Sequence, residues 1–480
     1  MWHRRTISEM ADALMHQRIS AVELTQHFLD RIELLNLSGP KLNAVREINP
    51  AALSTAEALD REREAGRQRG PLHGVPVLLK DNIATGDGMA CTAGSLALSE
   101  LRPIADAGLV RRLRSAGAVI LGKTNLTEFA DYLSGTMPAE FSSAGKVVRH
   151  PYGQRYGRGC GSSVGSACAV AAGLTPLAIG SETQNSIQTP ASLSSVVGLK
   201  PTVGLISRSG IVPLAISQDS PGPLAGCVAD VAIALSVLAG ADLADSLTLA
   251  AAPYRAADYG RWLAVDALEG ARIGVPRRVY SEGMDDAASA VYEQAIAMLR
   301  NAGAVIIDPA DVPTATEIFG LRSTVFATEF KVGLNSFLAS QGEAAPRHSL
   351  TEILEFNAAH SKQCLAYGQN LAEMADRSGG IDDRAYRTDR LRDIVLSREM
   401  GIDAICGEHR LDALVTLGGA AAKLTGKAGY PVLTVPAGFT ADGQPIGISF
   451  LGPAFSEPRL IALGYAFEQH AGVQRPSVRF

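Results

Sequence analysis

Gly161-Ser162-Ser163-Val164-Gly165-Ser166-Ala167 and Gly180-Ser181-Glu182-Thr183-Gln184-Asn185-Ser186-Ile187 are the two stretches around which the chain is organised. Ser162 and Ser186 lie 24 positions apart, each on a turn-forming segment. Between them, Ala167 to Gly173 holds only small residues and one valine, which suits a helix packed too closely for larger side chains. Downstream, Val196-Val197-Gly198-Leu199-Lys200-Pro201-Thr202 reads as an apolar strand closed by proline. Upstream, Val75-Pro76-Val77-Leu78-Leu79-Lys80-Asp81-Asn82 is apolar on both faces, the pattern of a central strand, and it ends in a lysine.

The remaining chain extends this pattern. Ser20-Ala21-Val22-Glu23 is a capping-box signature, after which Leu24, Phe28, Ile32 and Leu35 recur at helical spacing. A charged helix is expected from about 50 to 66. Ala107 to Ala116 reads as a helix ended by Gly117, and Ala118 to Leu121 as a strand running into a polar loop. Residues 134–160 lack periodicity, and a loop that long just before a serine motif is a candidate wall of a substrate pocket. A helix is expected over 227–240, a surface excursion over 241–268, strands at 271–275 and 304–307 with a helix between, and a largely helical region over 313–410. Strands return at 411–415, 431–436 and 445–451 before a closing helix at 458–470. Helix and strand alternating at this rate imply an α/β fold.

Composition bounds the function. The 480 residues are 46% hydrophobic and no proline- or glycine-rich linker divides them, so one domain over 1–480 is expected, with its centre at about 70–225. A net charge of −5 without a lysine/arginine block argues against nucleic acid as main partner. The six cysteines have no CxxC spacing and read as reduced thiols of a cytoplasmic protein. No apolar run of about 18 residues is present, and the start lacks the apolar core of a signal peptide.

At Lys80, Ser162 and Ser186, with Gly198-Leu199-Lys200-Pro201-Thr202 following, the sequence resembles the amidase signature family. Arg61-Glu62-Arg63-Glu64, Thr92-Ala93-Gly94-Ser95, Lys123-Thr124-Asn125-Leu126, Ser217-Gln218-Asp219 and Phe467-Glu468-Gln469 extend the likeness over nearly the whole chain, toward the bacterial peptide amidases. The resemblance implies a large mixed β-sheet covered by helices on both faces, with 313–410 on the substrate side. It implies a Ser-Ser-Lys relay in which neutral Lys80 takes the proton of Ser162, Ser162 takes that of Ser186, and Ser186 attacks an amide carbonyl. The serine at Ser162 is expected to follow a cis peptide bond from Gly161. Backbone N–H groups of Thr183, Gln184, Asn185 and Ser186 are the expected oxyanion hole. No metal or organic cofactor is implied, and the expected partner is a small-molecule or peptide amide, met by a monomer or homodimer.

The residues support parts of this independently. A Ser-His-Asp arrangement needs a histidine, and none of the nine stands in a recognisable motif. Burial beside Val77, Leu78 and Leu79 favours the neutral form of Lys80. Ser163 is expected to hold the turn, Thr183 to serve as a side-chain donor or a cap, and Cys160 to be a small buried residue. Gln184-Asn185 stands where the family usually has glycines. Asparagine tolerates the positive φ such a turn demands, whereas Gln184 would narrow the site or contact the substrate. Many relatives carry arginine at the position of Gln188, and its absence weakens any argument for a carboxylate anchor there. Three alternatives stay open: an acyltransferase using the same residues, a non-catalytic amide- or partner-binding relative, and an amidotransferase component.

Overall fold

The computed structural model describes residues 1–473 and Val478. Its centre is an 11-stranded sheet. The strands are β1 (Val45–Ile48), β2 (Pro76–Lys80), β3 (Val119–Thr124), β4 (Leu177–Glu182), β5 (Val197–Lys200), β6 (Ser220–Ala225), β7 (Arg272–Gly274), β8 (Val305–Ile307), β9 (Ala413–Leu417), β10 (Val432–Phe439) and β11 (Pro445–Leu451). They lie in the order β1-β3-β2-β4-β6-β5-β10-β11-β9-β7-β8. Parallel pairs (β3/β2, β2/β4, β9/β7 and β7/β8) alternate with antiparallel runs, so the sheet is mixed. Every residue of β2, β3, β4 and β11 is buried, which requires cover on both faces.

The expected helices form where their signals stand. Ser20 and Glu23 make both bonds of the capping box, and Leu24 and Phe28 bury their side chains completely. The small-residue helix spans Val164–Ala171 and its first seven residues are buried, so its lack of bulk is the condition for lying close to the sheet. The helices Ala52–Glu64, Gly108–Ser115, Val228–Leu238, Asp286–Asn301 and Glu457–Ala471 match the expected positions, and 313–410 is largely helical.

Three strands of the sheet, β1, β4 and β6, are not among those expected from the sequence. β1 carries Arg46 and Glu47 and lies at the sheet edge, where charge is tolerated. β6 reads Ser-Pro-Gly-Pro-Leu-Ala, a turn composition, yet runs between β4 and β5. Its prolines, Pro221 and Pro223, lie opposite Ser181 and Ile179 of β4, while pairing to β5 is confined to Leu224 and Ala225. Gly222 between them is required by close approach, since a Cβ there would lie 2.0 Å from the carbonyl oxygen of Leu199.

Gly222→Ala is therefore expected to push β6 from β5 and cost about 1–3 kcal/mol as an overpacking change. Urea unfolding of the variant checks this, and an unchanged midpoint would show that the strands separate freely.

Candidate active site

Sheet register brings the first two groups together. β2 and β4 are parallel with Leu79 opposite Ile179, so their carboxyl ends share one edge and the Lys80 side chain reaches Ser181, one residue beyond its register partner. Ligand sites of open α/β sheets lie outside such edges. Lys80 is completely buried, and its Nζ lies 2.8 Å from Ser162 Oγ, 3.0 Å from Ser181 O and 3.0 Å from Ser181 Oγ. Burial drives its pKa down to about 7, against the opposing pull of Asp219, Glu182 and Asp131.

Ser162 is fixed from both sides. The Gly161–Ser162 peptide bond is cis, and the Ser162 carbonyl accepts from Thr127 N–H at 3.1 Å. Gly161 admits no side chain, because a Cβ would lie 2.2 Å from Thr127 Oγ1. Ser163 Oγ donates to Ser181 O at 3.1 Å and accepts from Ser181 N–H at 3.3 Å, while its own N–H donates to Ser186 O at 3.1 Å. Cys160 differs from expectation, being partly exposed, with Sγ 3.5 Å from Arg158 O.

The Ser186 loop is shaped by groups that sequence reading did not single out. Glu182, at the end of β4, accepts from the backbone N–H of Ile187 at 2.6 Å and of Gln188 at 2.9 Å, and from the Gln188 side chain. Gln188 is fully buried by this contact. With the carboxylate clamping the residues after Ser186, the backbone N–H groups of Thr183, Gln184, Asn185 and Ser186 donate to no partner among the described residues.

Asn185 takes φ +79°, in line with the tolerance of asparagine for that region, and its Nδ2 donates to Gly159 O at 2.5 Å. That bond sets the end of segment 134–160 against the loop. Gln184 Nε2 donates to Gln218 Oε1 at 2.7 Å, and its stem lies over Gly426, where a Cβ would come within 2.3 Å of Gln184 Cγ. Thr183 Oγ1 donates to Asp219, whose carboxylate also accepts from Leu214 and Ala215 N–H at 2.9 and 3.1 Å. Ser186 is 3% exposed, and its Oγ has no hydrogen-bond partner among the described residues.

Ser181 is the group the sequence hides most completely. It contacts Lys80 through both oxygens, and its Oγ accepts from Asn82 Nδ2 at 2.9 Å. Only the in-register pairing of β2 with β4 could have pointed to it.

A family model described as amidase matches residues 23–461. Peptide amidase from Stenotrophomonas maltophilia is 44% identical and superposes with a TM-score of 0.93, the alignment covering 100% of this chain and 99% of that one. A probable amidase of Arabidopsis thaliana is 38% identical over 480 residues, 98% of this chain and 91% of the relative. A glutamyl-tRNA(Gln) amidotransferase component of Chloroflexus aurantiacus is 34% identical over 486 residues, 97% of this chain and 96% of the relative.

Removing the clamp in Glu182→Ala strands buried donors at Ile187 and Gln188, at about 1–3 kcal/mol for each group left unpaired. Hydrogen exchange checks this directly: the amides of Ile187 and Gln188 should lose protection, and retained protection would mean that the loop holds its shape without the carboxylate.

Proposed function

The chain belongs to the amidase family, and from that premise we propose that it hydrolyses the C–N bond of carboxamides through an acyl-enzyme at Ser186, with Ser162 and Lys80 relaying the proton. The observation that carries the reading is the 2.8 Å contact between Ser162 Oγ and a completely buried lysine Nζ. A neutral amine has two hydrogens and one lone pair. Ser181 O can only accept, so one N–H of Lys80 goes to it and the second goes to Ser181 Oγ. The lone pair is then left for the O–H of Ser162.

From this start Ser162 passes its proton to Lys80 and takes that of Ser186 as Ser186 Oγ bonds to the carbonyl carbon. The contact between Ser162 and Ser186 is the step the proposal adds to the geometry. The negative charge on the former carbonyl oxygen is met by the free N–H groups of Thr183 to Ser186, each such donor being worth about 3–4 kcal/mol to the transition state. Return of the proton from Lys80 through Ser162 to the departing nitrogen breaks the C–N bond and releases the amine. Water then resolves the ester at Ser186 by the same relay.

Peptide carboxamides or other small amides are the substrate class we infer, supported by the full-length likeness to a peptide amidase. All six cysteines are free thiols, which supports a reducing, cytoplasmic setting, and among the described residues no helix is long and apolar enough to cross a membrane.

Labelling with a fluorophosphonate, read by intact mass, is expected for the wild type and lost in Ser186→Ala and Lys80→Ala. Absence of labelling in the wild type would move the reading to a non-catalytic binder. Amide product formed in preference to acid when an amine is added would identify an acyltransferase instead. The base must be neutral to act, so kcat/KM should rise about tenfold per pH unit below pH 7 and level off above it. A flat profile between about pH 5.5 and 8.5 would remove Lys80 as the base.

A further inference from the structure

A proton relay needs Ser162 and Ser186, which stand on separate segments, to lie within reach of one another, and two hydrogen bonds tie those segments together. On one side of the pair, Ser163 N–H donates to Ser186 O at 3.1 Å. On the other, Asn185 Nδ2 donates to Gly159 O at 2.5 Å. Gly159 and Ser163 lie before and after Ser162 in the chain, and Asn185 and Ser186 adjoin, so the two ties bracket the serines. The first tie is backbone to backbone. The second depends on one side chain.

That side chain is itself fixed. Asn185 Oδ1 accepts from Thr189 Oγ1, which turns the amide the way round that leaves Nδ2 for Gly159. Gly419 packs on the same group, since a Cβ there would overlap Asn185 Oδ1 and Thr189 Oγ1. Thr189 N–H holds the Asn185 carbonyl at 3.1 Å. The backbone at Asn185 stands at φ +79°, where a residue with a side chain stays only if its surroundings enforce it. Gly159, by contrast, is exposed, and a Cβ on it would meet nothing within 4 Å. Packing does little to place it, so the bond from Asn185 carries that task.

We propose that Asn185 is a positioning residue whose side-chain amide, by holding Gly159, sets the spacing at which Ser162 receives the proton of Ser186; the inference rests on the relay reading of the site. Its amide is committed to Gly159 and Thr189, and it acts through the backbone of the two serines.

The rate at which a fluorophosphonate labels Ser186, followed by intact mass, reads this spacing without a substrate, because the bond to phosphorus forms as Ser186 gives up its proton. Asn185→Asp keeps the shape and the tolerance of positive φ but has no N–H for Gly159. Asn185→Gly keeps the turn and adds no charge. We expect the second-order rate to fall about tenfold in both variants, as for a small misplacement of reacting groups. The end point should stay at one label per chain, and the rise of rate with pH should stay centred near 7, because the contacts of Lys80 are untouched. An unchanged rate in Asn185→Gly overturns the proposal even if Asn185→Asp is slow, since the added charge would then be the cause. An unchanged rate in Asn185→Asp overturns it too, because no donor would be needed. A lower end point with an unchanged rate for the molecules that do label would make Asn185 a residue of the fold alone. No labelling of the wild type would overturn the relay reading itself, and the positioning role with it.

Discussion

The site depends on the desolvation of one amine. Three lysines are completely buried among the described residues, and comparing them shows that burial alone does not make a base. Lys123 donates to the Ile83 carbonyl at 2.5 Å, and Lys200 to the Tyr430 carbonyl at 2.9 Å, with burial lowering the latter to about 8. A carbonyl has no proton to give, so these amines serve as donors that tie one segment to another. Lys80 faces a carbonyl and two hydroxyls. Dryness brings its pKa to about 7, and the hydroxyl of Ser162 supplies a transferable proton.

The same economy of partners governs the Ser186 loop. A buried backbone N–H is ordinarily paired, and a run of free ones persists only if the chain has a reason to turn without closing on itself. Glu182 takes the N–H groups of Ile187 and Gln188, which start the short helix Gln188–Leu193, and the four preceding N–H groups have no partner among the described residues. Asn185 completes the turn at φ +79° and fastens it to Gly159. Gln184 donates its side-chain amide to Gln218.

What the sequence made legible follows from what is local. Runs such as Pro76 to Lys80 and Pro445 to Leu451 declare strands because each residue must meet an apolar surface, and Ser20 with Glu23 declares a helix start because both bonds close within four residues. β6 was illegible because its prolines and glycine are answers to its neighbours, above all to the Leu199 carbonyl. Lys80, Ser162 and Ser186 were found through a family likeness, since 106 positions separate the first from the last. Ser181 and Glu182 escape notice for the complementary reason. Each is a common polar residue whose place comes from a strand pairing or a clamp that no short window contains.

The three acids around Lys80 form a graded set. All of them favour its charged form, and burial opposes them more strongly. Asp219 and Glu182 are fixed members, held by donors that belong to the fold, so their pull is constant. Asp131 is held by no donor among the described residues, and burial pushes its own pKa up to about 7. Burial therefore sets the balance at Lys80, against two acids already committed to partners within the fold.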